Sequence, residues 1–162
     1  MSRSASGSSR KKTDSSRARS ASRSAGPSGP LRAIERRRSK IAGWGVYAGE
    51  RITKNSRIID YAGEKIGNRE SSNREVRQVA RGCIWCFKLN SRWVRDAEVG
   101  GNLARFVNHS CAPNCYTQVI GDTIWIRAAR NIRKGEELTY DYNTDGNGGI
   151  VCHCRKGCTT VL

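Results

Sequence analysis

"RFVNHSCAPNC", residues 105–115, sets a histidine between an asparagine and a serine, with a cysteine two residues on and another six residues on. These residue types serve four chemistries: a Cys–His nucleophile pair, a metal site, a disulfide hairpin or a cofactor pocket. A Cys–His hydrolase needs an activated thiolate, a base and an orienting third group. Cys111 follows His109 by two residues, which permits that pairing, but a Cys111 that ligates a metal is no longer a nucleophile. A serine hydrolase would carry a G-x-S-x-G elbow, and the chain has none. "GWGV" (43–46) lacks the following glycine of a dinucleotide fingerprint, and there is no Walker lysine motif, so nucleotide chemistry is unsupported.

Composition narrows the choice. The chain has 162 residues, enough for one modest domain with its own core. It carries 30 Lys+Arg against 14 Asp+Glu, a net charge of +16. Residues 1–40 hold twelve of those bases and two acids, and so account for +10 of it. A chain this basic favours acidic partners such as nucleic acid. No apolar run approaches 18 residues, so no membrane association is expected. The basic N-terminus is not followed by an apolar segment, which argues against secretion and for a reducing compartment. There, seven cysteines point to metal or chemistry and away from a disulfide framework.

Residues 1–32 are nearly all Ser, Arg, Lys, Gly, Ala and Pro, and are expected to be a disordered basic tail able to tether nucleic acid or acidic protein. From Ile41 onward the text changes to short β-rich runs punctuated by glycine. "AIERRRSKI" (33–41) reads as a helical turn or an entering strand. The best helix candidate is "RESSNREVRQVA" (69–80). "GCIWCFKL" (82–89) and "WVRDAE" (93–98) read as strands, "GNLARFVNHS" (101–110) as a turn of helix, and 116–132 as a hairpin around "GD". The pattern predicts a compact β-rich domain with one or two short helices.

"CHCRKGC" places Cys152, Cys154 and Cys158 within seven residues, a spacing suited to one tetrahedral zinc. His153, between two of them, is poorly placed to bind the same ion. The fourth ligand is then Cys111, Cys115 or one of the pair Cys83 and Cys86 in "CIWC". That pair has C-x-x-C spacing, but its apolar surroundings favour a plain strand. "ELTYDY" puts Tyr140 and Tyr142 on alternate residues, so in a strand both rings face one side; Tyr61 in "IIDYAGE" is a third candidate. Tyrosines at strand spacing are more often core or surface ladder than pocket.

Five runs occur in one order: "SKIAGWGVYA", "IIDYAGE", "GNLARFVNHSCAPNC", "GEELTYDY" and "CHCRKGC". Together they resemble the SET-domain protein lysine methyltransferases of the trithorax and mixed-lineage-leukaemia type, with their post-SET cysteine cluster. The resemblance implies a mainly β (β-rich α+β) fold of several small sheets with a pseudoknot. It divides the chain into the tail (1–32), a SET domain (33–143) and a post-SET zinc segment (144–162). It implies that Ala42, Trp44, Gly45, Trp85, Arg105, Asn108, His109, Tyr142 and His153 bind S-adenosyl-L-methionine. Tyr142 is implied as the catalytic tyrosine, Tyr61 as a wall of the lysine channel and Tyr140 as the residue that sets methyl number. Cys111 joins Cys152, Cys154 and Cys158 on Zn(2+). Trp85 stands where relatives often carry tyrosine, and three residues, where relatives commonly have four, separate Cys154 from Cys158.

The implied function is S-adenosylmethionine-dependent methylation of a lysine in a basic protein, a histone tail or histone-like protein. The setting would be the nucleus or chromosome in a eukaryote, or the cytoplasm and nucleoid in a prokaryote. The alternative is a catalytically weak, zinc-containing binding module for nucleic acid or chromatin partners.

Overall fold

The computed structural model describes residues 29–162. The tail expected over 1–32 falls almost wholly outside the described residues. Three small sheets carry the fold. The first, in order β1-β2-β10-β7, joins β1 (Ile34–Arg38), β2 (Trp44–Ala48), β10 (Glu137–Tyr140) and β7 (Asn108–His109). The second, β3-β9-β8, joins β3 (Arg57–Asp60), β9 (Thr123–Ala128) and β8 (Cys115–Ile120). The third, β4-β6-β5, joins β4 (Glu64–Gly67), β6 (Trp93–Asp96) and β5 (Cys86–Lys88). One α-helix, α1 (Asn68–Val79), follows β4, and a 3₁₀ turn (Leu103–Phe106) precedes β7. No helix among the described residues is long and apolar enough to cross a membrane.

The branched runs become the core. Val46 on β2, Ile58 and Ile59 on β3, Ile124 and Ile126 on β9 and Leu138 on β10 are fully buried, as is Ile132, which bridges to Ile52. The β8–β9 hairpin pairs Ile120 with Thr123 across Gly121–Asp122. Gly121 sits at φ +59°, the conformation that a Gly-first two-residue turn requires. "AIERRRSKI" resolves as the strand β1, antiparallel to β2.

The expected strand over 82–89 is shortened to Cys86–Lys88. The cause lies in how α1 ends. Gly82 adopts φ +71°, and the Gly82 and Cys83 amides donate back to the Val79 and Gln78 carbonyls. That is a glycine-terminated helix cap, and it spends the residues that periodicity assigned to a strand. Ile84 and Trp85 then run irregularly, with the Trp85 amide donating to Gln78 Oε1.

Polar ties hold α1 to the third sheet. Its buried side chains are Ser71 and Gln78. Arg74 donates to Glu64, Glu70 and Asp96, and Gln78 donates to Asp96 and Glu98. Asp96 is fully buried. Burial pushes its carboxyl pKa up, but the Glu98 amide, Arg74 and Gln78 outweigh this and hold it below the ordinary value.

Candidate functional site

β7 and β10 build the centre. They pair in parallel, Asn108 opposite Thr139 and His109 opposite Tyr140. This register brings the residues of the opening stretch against the tyrosine run. Asn114 fixes the arrangement: its side chain donates to the Glu137 carbonyl at 2.7 Å and accepts from the Thr139 amide at 2.9 Å.

Asn108 is buried, and its amide nitrogen donates toward the Ala42 and Trp44 carbonyls, at 3.3 and 3.0 Å, and Glu137 Oε1 at 2.9 Å. With the nitrogen so engaged, Asn108 Oδ1 is left without a donor among the described residues and open to the adjoining space. The same Glu137 carboxylate accepts from Ser39 Oγ at 2.7 Å and from the Tyr47 hydroxyl at 2.9 Å. His109 is buried; its Nδ1 accepts from the Tyr142 amide at 3.2 Å, which directs the ring hydrogen to Nε2, facing Cys111 Sγ at 3.5 Å. Burial lowers the His109 pKa, with Asp141 opposing.

A cleft of about 670 Å³ opens beside these groups. Ala42, Trp44, Trp85, Arg105, Asn108, His109, Tyr142 and His153 all line it. Gly45 does not. A Cβ there would lie 2.3 Å from Glu137 Oε1, so the residue makes room for the carboxylate that holds Asn108. Trp85 is flanked by the Arg105 guanidinium, 5.4 Å from its ring centre, and by Arg81 at 5.9 Å.

A second cleft, of about 1030 Å³, holds Tyr61, Tyr140 and Tyr142. Phe87, on β5, stands between Tyr61 (5.4 Å) and Tyr140 (6.1 Å), and Tyr140 lies 4.9 Å from Tyr142. The four rings form a continuous aromatic wall. The Tyr61 hydroxyl donates to the Trp85 carbonyl and the Tyr142 hydroxyl to the Val107 carbonyl, each at 2.9 Å. Burial pushes all three phenol pKa values up, so these hydroxyls stay protonated at neutral pH. β10 ends at Tyr140, and Tyr142 reaches the wall from beyond the strand. Tyr142, Cys83, Ile84 and Leu162 line both clefts, so the two spaces meet at the tyrosine.

The sulfurs of Cys111, Cys152, Cys154 and Cys158 lie within 4.8 Å of one another and could hold a metal ion. Three pairs measure 3.7, 3.9 and 4.0 Å. A tetrahedral zinc with bonds near 2.3 Å sets its sulfurs about 3.8 Å apart, so the spacing fits that ion. Cys115 is in the core, while Cys83 and Cys86 lie outside the group. Burial pushes the Cys86 and Cys115 thiols up to about 12, which leaves them protonated and inert. The cluster joins the loop after β7 to residues 150–162, which close on themselves through the Val151–Val161 bridge. Ile150, Val151, Cys152, His153 and Leu162 of that segment form the far wall of the first cleft.

Among known proteins, the human protein named histone-lysine N-methyltransferase 2D is 43% identical over 126 residues, 72% of this chain and 2% of that protein. The Drosophila melanogaster histone-lysine N-methyltransferase trr is 44% identical over 125 residues, 72% of this chain and 5% of its own length. A protein of Aspergillus oryzae named histone-lysine N-methyltransferase, H3 lysine-4 specific, is 41% identical over 136 residues, 77% of this chain and 11% of that protein. The chain thus spans a small fraction of the length of each. The SET domain family model matches residues 43–143, from the turn at the mouth of the first cleft to just beyond Tyr142. That match takes in most of the lining of both clefts and more than half of the sequence, and the chain belongs to the SET-domain family.

Proposed function

We propose that the protein is an S-adenosylmethionine-dependent protein-lysine N-methyltransferase acting on a lysine in a basic protein tail. The observation that carries this reading is the meeting of two clefts at Tyr142, one lined by the Asn108–His109 pair and the other walled by aromatic rings. The first suits the cofactor. Asn108 Oδ1 offers an acceptor to its ammonium, Arg105 offers a cation to its carboxylate, and Trp44 and His153 flank the mouth. The second suits the substrate side chain, with Tyr61, Phe87, Tyr140 and Tyr142 as walls.

Bound S-adenosylmethionine supplies an electrophilic methyl group on a sulfonium. The residues must then deliver a neutral amine in line with it. A lysine amine has a reference pKa near 10.4, so reaching the neutral form at pH 7 costs about 4–5 kcal/mol. An aromatic channel disfavours the ammonium by desolvation, and a neighbouring positive charge disfavours it further. The tyrosines are too weakly acidic to be the base, so they orient the amine through their oxygens and the proton leaves to water. Alignment in a near-attack pose supplies the remainder.

The four-cysteine cluster is read as a structural zinc site, fastening residues 144–162 as a post-SET lid on a SET domain spanning 33–143. Residues 1–32 are read as a basic arm able to contact nucleic acid. The Aspergillus relative is named as specific for H3 lysine 4, which makes a histone H3 tail the first substrate to try, in a nuclear, chromatin-bound setting. The alternative of a weak binding module is not favoured, since the aromatic wall and the Asn108 network are both complete. Transfer of labelled methyl to an H3 peptide, compared with Tyr142→Phe, tests the reading. A loss of about a hundredfold is expected, on the scale of removing one oriented polar group from a reacting centre. A folded Tyr142→Phe protein with an unchanged rate would overturn it.

A further inference from the structure

Charge is spread unevenly over the fold. Residues 41–162 carry eighteen Lys/Arg and twelve Asp/Glu; seven of those bases and two of the acids lie on one face, which leaves eleven bases against ten acids elsewhere. The face is made by β3, β9 and the loops before β3 and after β9. The antiparallel Ile52–Ile132 bridge puts Arg51 opposite Arg133. The Lys54 amide donates to Asn131 Oδ1 at 2.9 Å and the Asn55 amide to the Ala128 carbonyl at 2.8 Å, which ties the two loops together. Arg51, Arg130, Arg133 and Lys134 line an open hollow of about 820 Å³. Its acid, Glu136, is paired with Arg130. The other acid, Glu50, accepts from the Ala33 amide at 3.3 Å. Arg51, Lys54, Arg57, Arg127, Arg133 and Lys134 form no ion pair among the described residues. None of them lines either cleft.

Two further observations point to what covers this face. Arg57 and Arg127 stand directly opposite each other across β3 and β9, and like charges so placed cost a sheet stability. Each guanidinium lies over a ring: Arg57 over Trp125 at 5.0 Å and Arg127 over Tyr116 at 5.8 Å. Arg127 also donates to the Asn55 carbonyl at 3.1 Å. The charges are thus held in place, and the rings beneath them are occupied by cations. Such a surface offers guanidinium edges to phosphates and little open ring to an unpaired base. The second observation is where the chain enters the fold. The Leu31 amide donates to the Ile58 carbonyl at 2.8 Å, and Arg32 donates to Ser56 Oγ at 3.5 Å. The seven bases of residues 1–30, with their single acid, are therefore attached at this same face.

We propose that this face docks on double-stranded nucleic acid through its phosphates, without reading base sequence, and leaves both clefts clear. The proposal goes beyond the arm at residues 1–32, because bases fixed on the fold orient the clefts relative to the duplex, whereas an arm alone only tethers them. It needs nothing from the methyltransferase reading. Duplex DNA carries one charge per about 1.7 Å of its axis, so a face this broad meets several phosphates at once.

The test measures binding of the full chain to a short fluorescein-labelled DNA duplex of mixed sequence by anisotropy, across a salt series. Arg51→Gln, Arg133→Gln and Lys134→Gln are made together; all three residues are exposed and line the hollow. Affinity should fall about ten- to a hundredfold at about 0.1 M salt, and the slope of log K against log salt should flatten by about two to three. Arg69→Gln, Arg77→Gln and Arg92→Gln remove the same charge from exposed positions off the face, and should cost less than about threefold. Arg51→Lys with Arg133→Lys keeps the charge and should bind within about threefold of the natural chain. Equal losses in the two triple variants overturn the face, because binding then follows net charge alone. A loss in the lysine variant as large as in the glutamine one overturns it too, since the effect is then not one of charge. No duplex binding, or tighter binding to one strand of the same sequence, also overturns it. The measurement uses neither cofactor nor turnover, so failure of the methyltransferase reading leaves it intact.

Discussion

Gly45→Ala isolates the network behind the first cleft. The residue is not among those with positive φ, so alanine is compatible with its backbone and any cost comes from the added methyl. That methyl would lie 2.3 Å from Glu137 Oε1 and 3.0 Å from Ser39 Cβ. An ordinary carbon–oxygen contact is about 3.3 Å, so the carboxylate must retreat by about 1 Å. A free surface glutamate would do so at little cost. This one accepts from Ser39 at 2.7 Å, from Asn108 at 2.9 Å and from Tyr47 at 2.9 Å. Moving by 1 Å takes the first two beyond useful length. Bonds to a charged acceptor are worth about 1.5–3 kcal/mol each in the interior, and the half-exposed setting with partial re-bonding brings the total to about 2 kcal/mol. Urea denaturation of a double-mutant cycle measures it. Gly45→Ala should cost about 2 kcal/mol in the natural protein and about 1 kcal/mol or less in Glu137→Ala, where the carboxylate is gone and only the Ser39 Cβ contact remains. Cofactor affinity should fall with the first and change no further in the pair. Additivity within about 0.5 kcal/mol would refute the reasoning, because independent sites add to that precision.

Other outcomes follow from the same geometry. Metal analysis should find about one zinc per chain, and chelation or Cys154→Ser should weaken cofactor binding while the β8–β9 hairpin stays folded, since the cleft's far wall belongs to residues 150–162. Full activity in a metal-free protein would exclude this. Tyr140→Phe removes a hydroxyl that opens into the channel and can hold a water there. Mass spectrometry of a single-lysine peptide should show mainly monomethyl product with some dimethyl from the natural protein and a shift to higher states in the variant, an effect of about 1–2 kcal/mol on the later steps. Deleting residues 1–30 should remove much of any nucleic-acid binding and flatten its salt dependence, while turnover on a short peptide barely changes.

The Asn108–His109 side of the candidate site was more legible in the sequence than the aromatic wall. "NHSC" and "TYDY" are contiguous runs, and their residues lie on the strands β7 and β10 or just beyond them, so order along the chain carried over into space. The helix over 69–80 appeared as Asn68–Val79, and the hairpin around "GD" formed as expected. What stayed hidden depended on contacts between distant segments. Glu137 reads as one of two adjacent acids after a glycine, and nothing local says that it reaches Ser39 and Asn108. Gly45, expected to touch the cofactor, does not line the first cleft, and nothing local says that a Cβ there would meet that carboxylate. Phe87 follows a C-x-x-C whose spacing draws the eye to sulfur, while the ring behind it completes the tyrosine wall. The lost strand at Ile84–Trp85 had its signal in Gly82, which ends the preceding helix.

The manner in which α1 is fastened has a consequence for how the molecule opens. A helix docked by an apolar stripe separates from its sheet only with the exposure of core, near the full unfolding free energy. This one is fastened by Arg74 and Gln78 converging on Asp96, and water can replace most of those bonds as the helix lifts. Its amides should therefore exchange with deuterium through a sub-global opening well below that of the β8–β9 hairpin. The sign with acid also follows. The depressed Asp96 pKa means that the carboxylate stabilises the docked helix fully above the unfolded-state value near 3.9 and loses that contribution as pH falls through the folded one. The segment bearing Glu75 should thus be the first to exchange freely on acidification, while the central strands keep their protection.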